Sequence, residues 1–199
     1  MNTPLIESGI ACLTMPGQSQ SGDRHLLQPY INGLLVAVVD GLGHGEQAAA
    51  AADLAVNTLI KHADESVIAL LKRCHHALRD TRGVVIALAS FNELDRALTW
   101  MGIGNVEGLV IRTEGSPPPK HENLLLRGGV VGDQFPSLSA SIIPLMQGDT
   151  LVFATDGIRG GFANDLSASD PPQVMADRIL AKYSKGSDDA LVFVVRFLK

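Results

Sequence analysis

Aspartate residues at the ends of apolar segments are the part of this sequence best suited to chemistry. Asp40 ends the segment LLVAVVD and Asp156 ends TLVFATD, and a glycine follows each of them. Asp188 and Asp189 directly precede the segment ALVFVVRF. Apolar segments of this length predict buried strands, and burying a carboxylate is costly unless it is paired or bound to a metal. We therefore interpret these acids as candidate metal ligands that meet at one edge of packed sheets.

The oxygen-rich character of these residues favours Mg²⁺ or Mn²⁺. Such hard ions take a few carboxylates, a backbone carbonyl and several waters as ligands, and the carbonyl of Gly41 is one candidate. A carboxylate can also bridge two ions about 3.5 to 4 Å apart, the arrangement that activates water for in-line attack on phosphorus. A single Asp-Gly pair is typical of an ordinary turn. The combination of these acidic sites carries the metal hypothesis.

Two further residues near these acids are candidates with open alternatives. The loop DGLGHG, residues 40–45, lacks the glycine spacing of nucleotide-binding loops, so its glycines are interpreted as allowing the backbone to approach the metals. His44 in this loop is either a proton donor to the leaving oxygen or an exposed residue at a helix start. Asp23, in QSGDRHLL, is either an acid that supports the ligands or a turn residue, and spacing does not decide between them.

Composition limits the class of protein. With 199 residues, 46% of them hydrophobic and 19% charged, the chain is expected to form one globular domain over residues 1–199. A net charge of −5 argues against nucleic-acid binding. No basic leader and no apolar run of membrane-spanning length is present, so a cytoplasmic protein without membrane attachment is expected. Cys12 and Cys74 are expected to be reduced and buried, and the absence of zinc-ligand spacing makes a zinc hydrolase a distant alternative.

The elements that must position the acids are mainly strands. Residues 83–91, 97–104 and 106–113 predict consecutive strands of an antiparallel meander, and the proline-containing loop 114–123 is expected to separate two strands of one sheet. Further strands are predicted within 123–129, 138–145, 149–157 and 190–199, and amphipathic helices within 45–61, 64–78 and 171–184. Strands in meanders with helices in separate blocks predict a layered α+β domain.

Four motifs together resemble a known family. SGD at 21–23, DGLGHG at 40–45, ATDG at 154–157 and DDA at 188–190 resemble, in this order, the signature acids of the PP2C-like, metal-dependent protein serine/threonine phosphatases, in their SpoIIE-type branch. The resemblance implies a four-layer αββα sandwich, in which two antiparallel sheets are flanked by helices and hold two Mn²⁺ ions, with Mg²⁺ as the alternative ion.

The resemblance also implies roles for individual residues. Asp40 would bridge both ions, the carbonyl of Gly41 would bind one of them, and Asp156 and Asp188 would bind the other. Asp189 is a further candidate ligand. Asp23 would order water at the centre, and His44 is the candidate proton donor.

The substrates implied by the resemblance are phosphoserine and phosphothreonine on STAS-domain scaffold proteins of the stressosome, whose dephosphorylation would reset the bacterial general stress response. A monomer is expected. Two departures from eukaryotic relatives, the lack of an arginine in PGQSQSGD and the presence of Leu42 where those relatives place a histidine, predict a slow, substrate-restricted enzyme. Alternatives are a phosphatase of an anti-sigma-factor antagonist, which is also a STAS protein, and a catalytically silent phosphoprotein-binding module.

Overall fold

The computed structural model of the chain describes residues 6–113 and 119–198. Its helices are α1 (Glu46–Lys61), α2 (Val67–Ala77) and α3 (Pro172–Tyr183), and a short 3-10 helix spans Phe162–Asp165. Its strands are β1 (Ile6–Leu13), β2 (Asp23–Tyr30), β3 (Gly33–Gly41), β4 (Val84–Asn92), β5 (Ala97–Ile103), β6 (Glu107–Ile111), β7 (His121–Asn123), β8 (Leu126–Arg127), β9 (Ser141–Pro144), β10 (Thr150–Ala154) and β11 (Ala190–Phe197). None of the described helices is long and apolar enough to cross a lipid bilayer.

The strands form two sheets. One, here called the β11 sheet, has the order β1-β11-β10-β6-β7, and all of its neighbouring strands are antiparallel. The other, here called the β3 sheet, has the order β2-β3-β4-β5-β8, with β9 also paired to β5. Its pairs are antiparallel except for the short pair between β5 and β8. The layered α+β architecture predicted from the sequence is confirmed.

Both faces of the central strands are covered, which explains their unbroken apolar sequences. One face of β3, with Leu35, Ala37 and Val39, packs against α1 and α2. Its other face packs against the β11 sheet, in a core that includes Val36 and Phe153. On the far side of the β11 sheet a third core lies beneath α3. The layers therefore follow the order helix, sheet, sheet, helix, as the αββα expectation requires.

The predicted three-stranded meander is wrong in its third strand. Strands β4 and β5 form the predicted antiparallel pair, but β6 pairs with β10 in the opposite sheet. The chain changes sheets at Gly104, whose φ of +99° lies in the left-handed region that favours glycine. This crossover also places Asn105 at the edge where the strand ends of both sheets meet.

Two other expectations are refined by the structure. The loop 114–123 does connect strands of one sheet, since β6 pairs with β7, but residues 121–123 belong to β7 itself and residues 114–118 lie outside the described part of the chain. Cys74 is buried as expected, whereas Cys12 is exposed. The reason is that Cys12 lies near the end of β1, an edge strand paired only with β11.

Candidate metal centre

The candidate acids converge on one cavity at a common edge of the two sheets. Asp23 begins β2 and Asp40 lies near the end of β3, where the antiparallel register pairs the two residues directly. From the opposite sheet, Asp156 follows β10, and Asp188 with Asp189 precedes β11. All five carboxylates line a cavity of about 210 Å³. The convergence expected from the sequence is therefore present in the structure.

The glycines that follow two of these acids allow the backbone to approach neighbouring segments closely. A Cβ atom on Gly41 would lie 2.1 Å from the carbonyl oxygen of Ala48 in α1. A Cβ atom on Gly157 would lie 1.9 Å from the carbonyl oxygen of Asp189. Both distances are far inside van der Waals contact, so any larger residue would push these segments apart. The Asp-Gly pairs therefore allow close backbone packing beside the candidate acids, which the turn interpretation alone does not explain.

Asp23 is held by a residue that the sequence analysis did not identify. Its side chain is buried, and its Oδ2 accepts a 2.8 Å hydrogen bond from the hydroxyl of Thr155. The same hydroxyl oxygen accepts a 2.8 Å bond from the N–H of Leu191. This buried chain of hydrogen bonds connects the two sheets and decides the open alternative for Asp23, which is a pocket residue and not a surface turn residue.

Asp189 holds the segment that precedes β2. Its Oδ1 accepts a hydrogen bond from the N–H of Met15 at 2.8 Å, and its Oδ2 accepts one from the N–H of Gly22 at 2.7 Å. The carboxylate is buried, and both of its oxygens are thus already used by the backbone. These contacts give Asp189 a positioning role at the cavity, and its role as a metal ligand stays a prediction.

Asp156 also has a hydrogen-bond partner that was not identified from the sequence. The side-chain amide of Asn105 donates a 2.8 Å hydrogen bond to Oδ2 of Asp156, and both residues line the cavity. Asn105 reaches this position only because the chain changes sheets after Gly104. His44 also lines the cavity, with an exposed side chain, so it is accessible to a substrate from the outside.

The electrostatics of the cavity favour a cation. Burial, and then the charges of Asp23, Asp156, Asp188 and Asp189, raise the pKa of Asp40 to about 8. Burial also raises the pKa of Asp23 to about 7, and the hydrogen bond from Thr155 opposes this shift. Carboxylates that repel one another in a partly buried site are stabilised by a bound cation. The donor set therefore fits a divalent metal centre.

In the part of the chain that the structure describes, residues 6–113 and 119–198, no group of three or more His, Cys, Asp or Glu side chains is arranged so that it could hold a metal ion. Mg²⁺ is commonly bound through one or two carboxylates and retains several waters. The roles of Asp40, Asp156, Asp188 and the carbonyl of Gly41 as ligands of such ions stay predictions.

Comparisons with known proteins agree with this geometry. A family model described as Stage II sporulation protein E (SpoIIE) matches residues 32–198. The phosphoserine phosphatase RsbX of Bacillus subtilis (strain 168) is 31% identical over 114 residues, which cover 55% of each chain. The match thus spans about half the length of this curated relative.

Solved structures show the same fold over nearly the whole chain. A structure described as "The bacterial stressosome: a modular system that has been adapted to control secondary messenger signaling" is 27% identical, has a TM-score of 0.86, and covers 96% of this chain and 99% of its own. A crystal structure of RsbX in complex with magnesium is 21% identical with a TM-score of 0.86, over 99% of this chain and 98% of its own. The PP2C-like fold implied by the four motifs is confirmed.

Proposed function

This chain belongs to the SpoIIE family, and on that premise we propose that it is a metal-dependent protein serine/threonine phosphatase acting as one domain in the cytoplasm. The observation that carries the proposal is the meeting of five carboxylates from both sheets in one cavity. Such a site serves phosphoryl transfer to water, in which charge develops on the phosphoryl oxygens and on the leaving oxygen.

The metal centre of the proposed enzyme contains two Mn²⁺ ions, with Mg²⁺ as the alternative. Asp40 pairs with Asp23 in the register of β2 and β3, and it lines the same cavity as Asp156 and Asp188. This placement supports Asp40 as the shared ligand, the carbonyl of Gly41 as a ligand of one ion, and Asp156 with Asp188 as ligands of the other. Two such ions, when bound, would supply activated water and stabilise the charge on the transferring phosphoryl group.

The remaining cavity residues orient groups and move protons. Asp23, held by its hydrogen bond from Thr155, would order water at the centre and accept a proton from it at its other carboxylate oxygen. Asn105 fixes the orientation of the Asp156 carboxylate through its amide. His44 lies on the exposed rim, where its imidazole can donate a proton to the serine or threonine oxygen that leaves.

The proposed substrates are phosphorylated STAS-domain proteins of a stressosome, and the chain is proposed to act on them as a monomer. The similarity to RsbX, described as a phosphoserine phosphatase, and to a structure described as part of the bacterial stressosome supports this choice. A cavity of about 210 Å³ suits a single phosphorylated side chain presented by a protein surface. A phosphorylated anti-sigma-factor antagonist, which also has a STAS fold, is the alternative substrate.

The test is the release of phosphate from both phosphoproteins by the full chain with Mn²⁺, Mg²⁺ or Zn²⁺. Asp40→Asn and Asp156→Asn are expected to lower turnover by at least about a hundredfold, since each removes a charged metal ligand. Asp95→Asn is the matched control, because Asp95 is exposed in the turn after β4, far from the cavity. Binding of the phosphoprotein without any release of phosphate would support a silent binding module, and activity with Zn²⁺ alone would support a zinc hydrolase.

A further inference from the structure

Arg82 lies beside the loop that carries the candidate metal ligands, although it comes from a distant part of the sequence. It belongs to the junction between α2 and β4. Its guanidinium occupies the space next to Gly43, where a Cβ atom on that glycine would lie only 2.5 Å from Nη1 of Arg82. Gly43 lines the acidic cavity. A positive charge is therefore held at the rim of a cavity lined by five carboxylates.

The junction that carries Arg82 is fixed to this rim by hydrogen bonds on both sides of the residue. The hydroxyl of Thr81 donates to the carbonyl of Leu78 at 2.7 Å and accepts from the N–H of Gly83 at 3.0 Å. The carbonyl of Gly83 then accepts a 3.1 Å bond from the N–H of Leu42, next to Gly43. The backbone at Arg82 is thus connected directly to the loop 40–45, and its side chain emerges at a defined place.

Arg82 has no ion-pair partner in the part of the chain that the structure describes, and its side chain is exposed. Arg24, the arginine next to Asp23 in sequence, differs because its charge is paired within the protein. Its guanidinium binds the carboxylate of Asp53 and the carbonyls of Ser21 and Asp23. Arg82 is therefore a cation near the cavity that remains available to a ligand.

We propose that Arg82 binds the phosphoryl oxygens of the substrate, and so acts as a substrate-binding residue in the phosphatase reaction proposed above. A phosphoserine dianion that approaches the cavity meets a ring of carboxylates, and cations are needed to offset this repulsion. A guanidinium presents parallel N–H groups that match two phosphoryl oxygens, which an ammonium group cannot reproduce. The inference rests on the proposed function for its substrate, but the binding of phosphate can be measured separately.

The experiment compares Arg82→Ala and Arg82→Lys with Arg79→Ala, using the full chain saturated with Mg²⁺. Arg79 is an exposed arginine of the same junction whose charge acts on His75, so its removal controls for the loss of one positive charge. Inorganic phosphate binding is measured by calorimetry, and kcat and KM are measured with a phosphorylated STAS protein. Thermal melting with and without Mg²⁺ verifies that each variant folds and binds the metal.

Arg82→Ala is expected to weaken phosphate binding by about ten- to a hundredfold and to raise KM more than it lowers kcat. Arg82→Lys should fall between wild type and Arg82→Ala, and Arg79→Ala should match wild type. Equal phosphate affinity in Arg82→Ala and Arg79→Ala would overturn the inference. If the wild-type protein releases no phosphate but binds it in a manner that depends on Arg82, the proposed function fails and the inference stands.

Discussion

The hydroxyl of Thr155 donates a 2.8 Å hydrogen bond to Oδ2 of Asp23, across the boundary between the two sheets. Thr155 follows the last residue of β10 in one sheet, and Asp23 begins β2 in the other. Both side chains are buried. Because the bond is buried and joins separate layers, it fixes the spacing between the strand ends that carry the acidic residues.

Replacing Thr155 with valine keeps its shape and removes this bond. The buried carboxyl of Asp23 then loses its donor, so the free energy of unfolding should fall by about 1–3 kcal/mol. The bond lowers the pKa of Asp23, and its loss should therefore raise that pKa further and move the acidic limb of the pH–rate profile to higher pH. Urea unfolding and a pH–rate profile measure the two effects. Thr99→Val in β5, away from the cavity, should produce neither.

Replacing Asp40 with asparagine should stabilise the metal-free protein although it abolishes activity. Burial and the neighbouring aspartates raise the pKa of Asp40 to about 8 in the folded state, from an ordinary value of 3.8. Because the folded-state pKa of Asp40 lies above its unfolded-state pKa, this group favours the folded protein most below about pH 4, where the carboxyl is protonated in both states. That stability is lost as the pH rises from about 4 towards 8. Removing the charge should therefore raise stability at pH 7 by on the order of 1–3 kcal/mol.

Thermal melting in the presence of a chelator measures this effect. The wild-type protein should gain stability as the pH is lowered from 8 towards 6, and Asp40→Asn should show a weaker dependence on pH. Saturating Mg²⁺ or Mn²⁺ should raise the melting temperature of the wild type. It should also abolish the gain in stability on lowering the pH, because the bound ion favours the ionised carboxylates. A variant that melts below wild type in the chelator would contradict this account of the cavity.

The sequence was sufficient to predict the elements with strong periodicity. All three helices and the central strands β3, β10 and β11 follow from runs of apolar residues at regular spacing, because these elements are buried on one or both faces. The edge strands β1 and β2 were not predicted. They mix polar and apolar residues, and their pairing depends on β11 and β3, which lie far away in sequence.

The site residues that were not predicted also depend on contacts between segments that lie far apart in sequence. Whether Asp23 was a turn residue or a pocket residue depended on the pairing of β2 with β3, which the local sequence does not reveal. Thr155 lies within the ATDG motif, but its bond to Asp23 depends on the packing of the two sheets. Asn105 and Arg82 belong to no motif and approach the acidic residues or their loop only through the packing of separate segments. The acids themselves were recognisable because charged residues that end buried strands are costly without a function.

Gly157 should tolerate no side chain. A Cβ atom there would lie 1.9 Å from the carbonyl oxygen of Asp189, which is backbone and cannot turn away. Gly157→Ala should therefore destabilise the fold by about 1–3 kcal/mol and weaken metal binding, since the segment after Asp156 must move away from β11. Chemical unfolding and calorimetric titration with Mn²⁺ measure these effects. Gly128→Ala is the control, because a Cβ atom at Gly128 would meet no atom within 4 Å. Equal metal affinity in the two variants would contradict the expectation that a side chain at position 157 displaces the segment after Asp156.

The ion pair between Arg112 and Asp149, at the end of β10 away from Asp156, should affect the stability of the fold without affecting catalysis. Asp149 is fully buried and accepts hydrogen bonds from Nη1 of Arg112 at 2.7 Å and from the N–H groups of Thr113 and Met146 at 2.9 and 3.0 Å. Asp149→Ala leaves two backbone donors without this acceptor, while the guanidinium of Arg112 keeps its ion pair with Glu122, so the free energy of unfolding should fall by about 1–3 kcal/mol.

Asp149 lies before β10 and Asp156 lies after it, so the strand separates this ion pair from the cavity. The activity of Asp149→Ala per folded molecule, measured well below its melting temperature, should therefore equal that of wild type. Arg112→Met is the companion variant. It leaves the fully buried Asp149 carboxylate with its two backbone donors but without a cation, so its loss of stability should be the larger of the two. A loss of turnover in fully folded Asp149→Ala would show that the two ends of β10 are coupled and would contradict this separation of stability from catalysis.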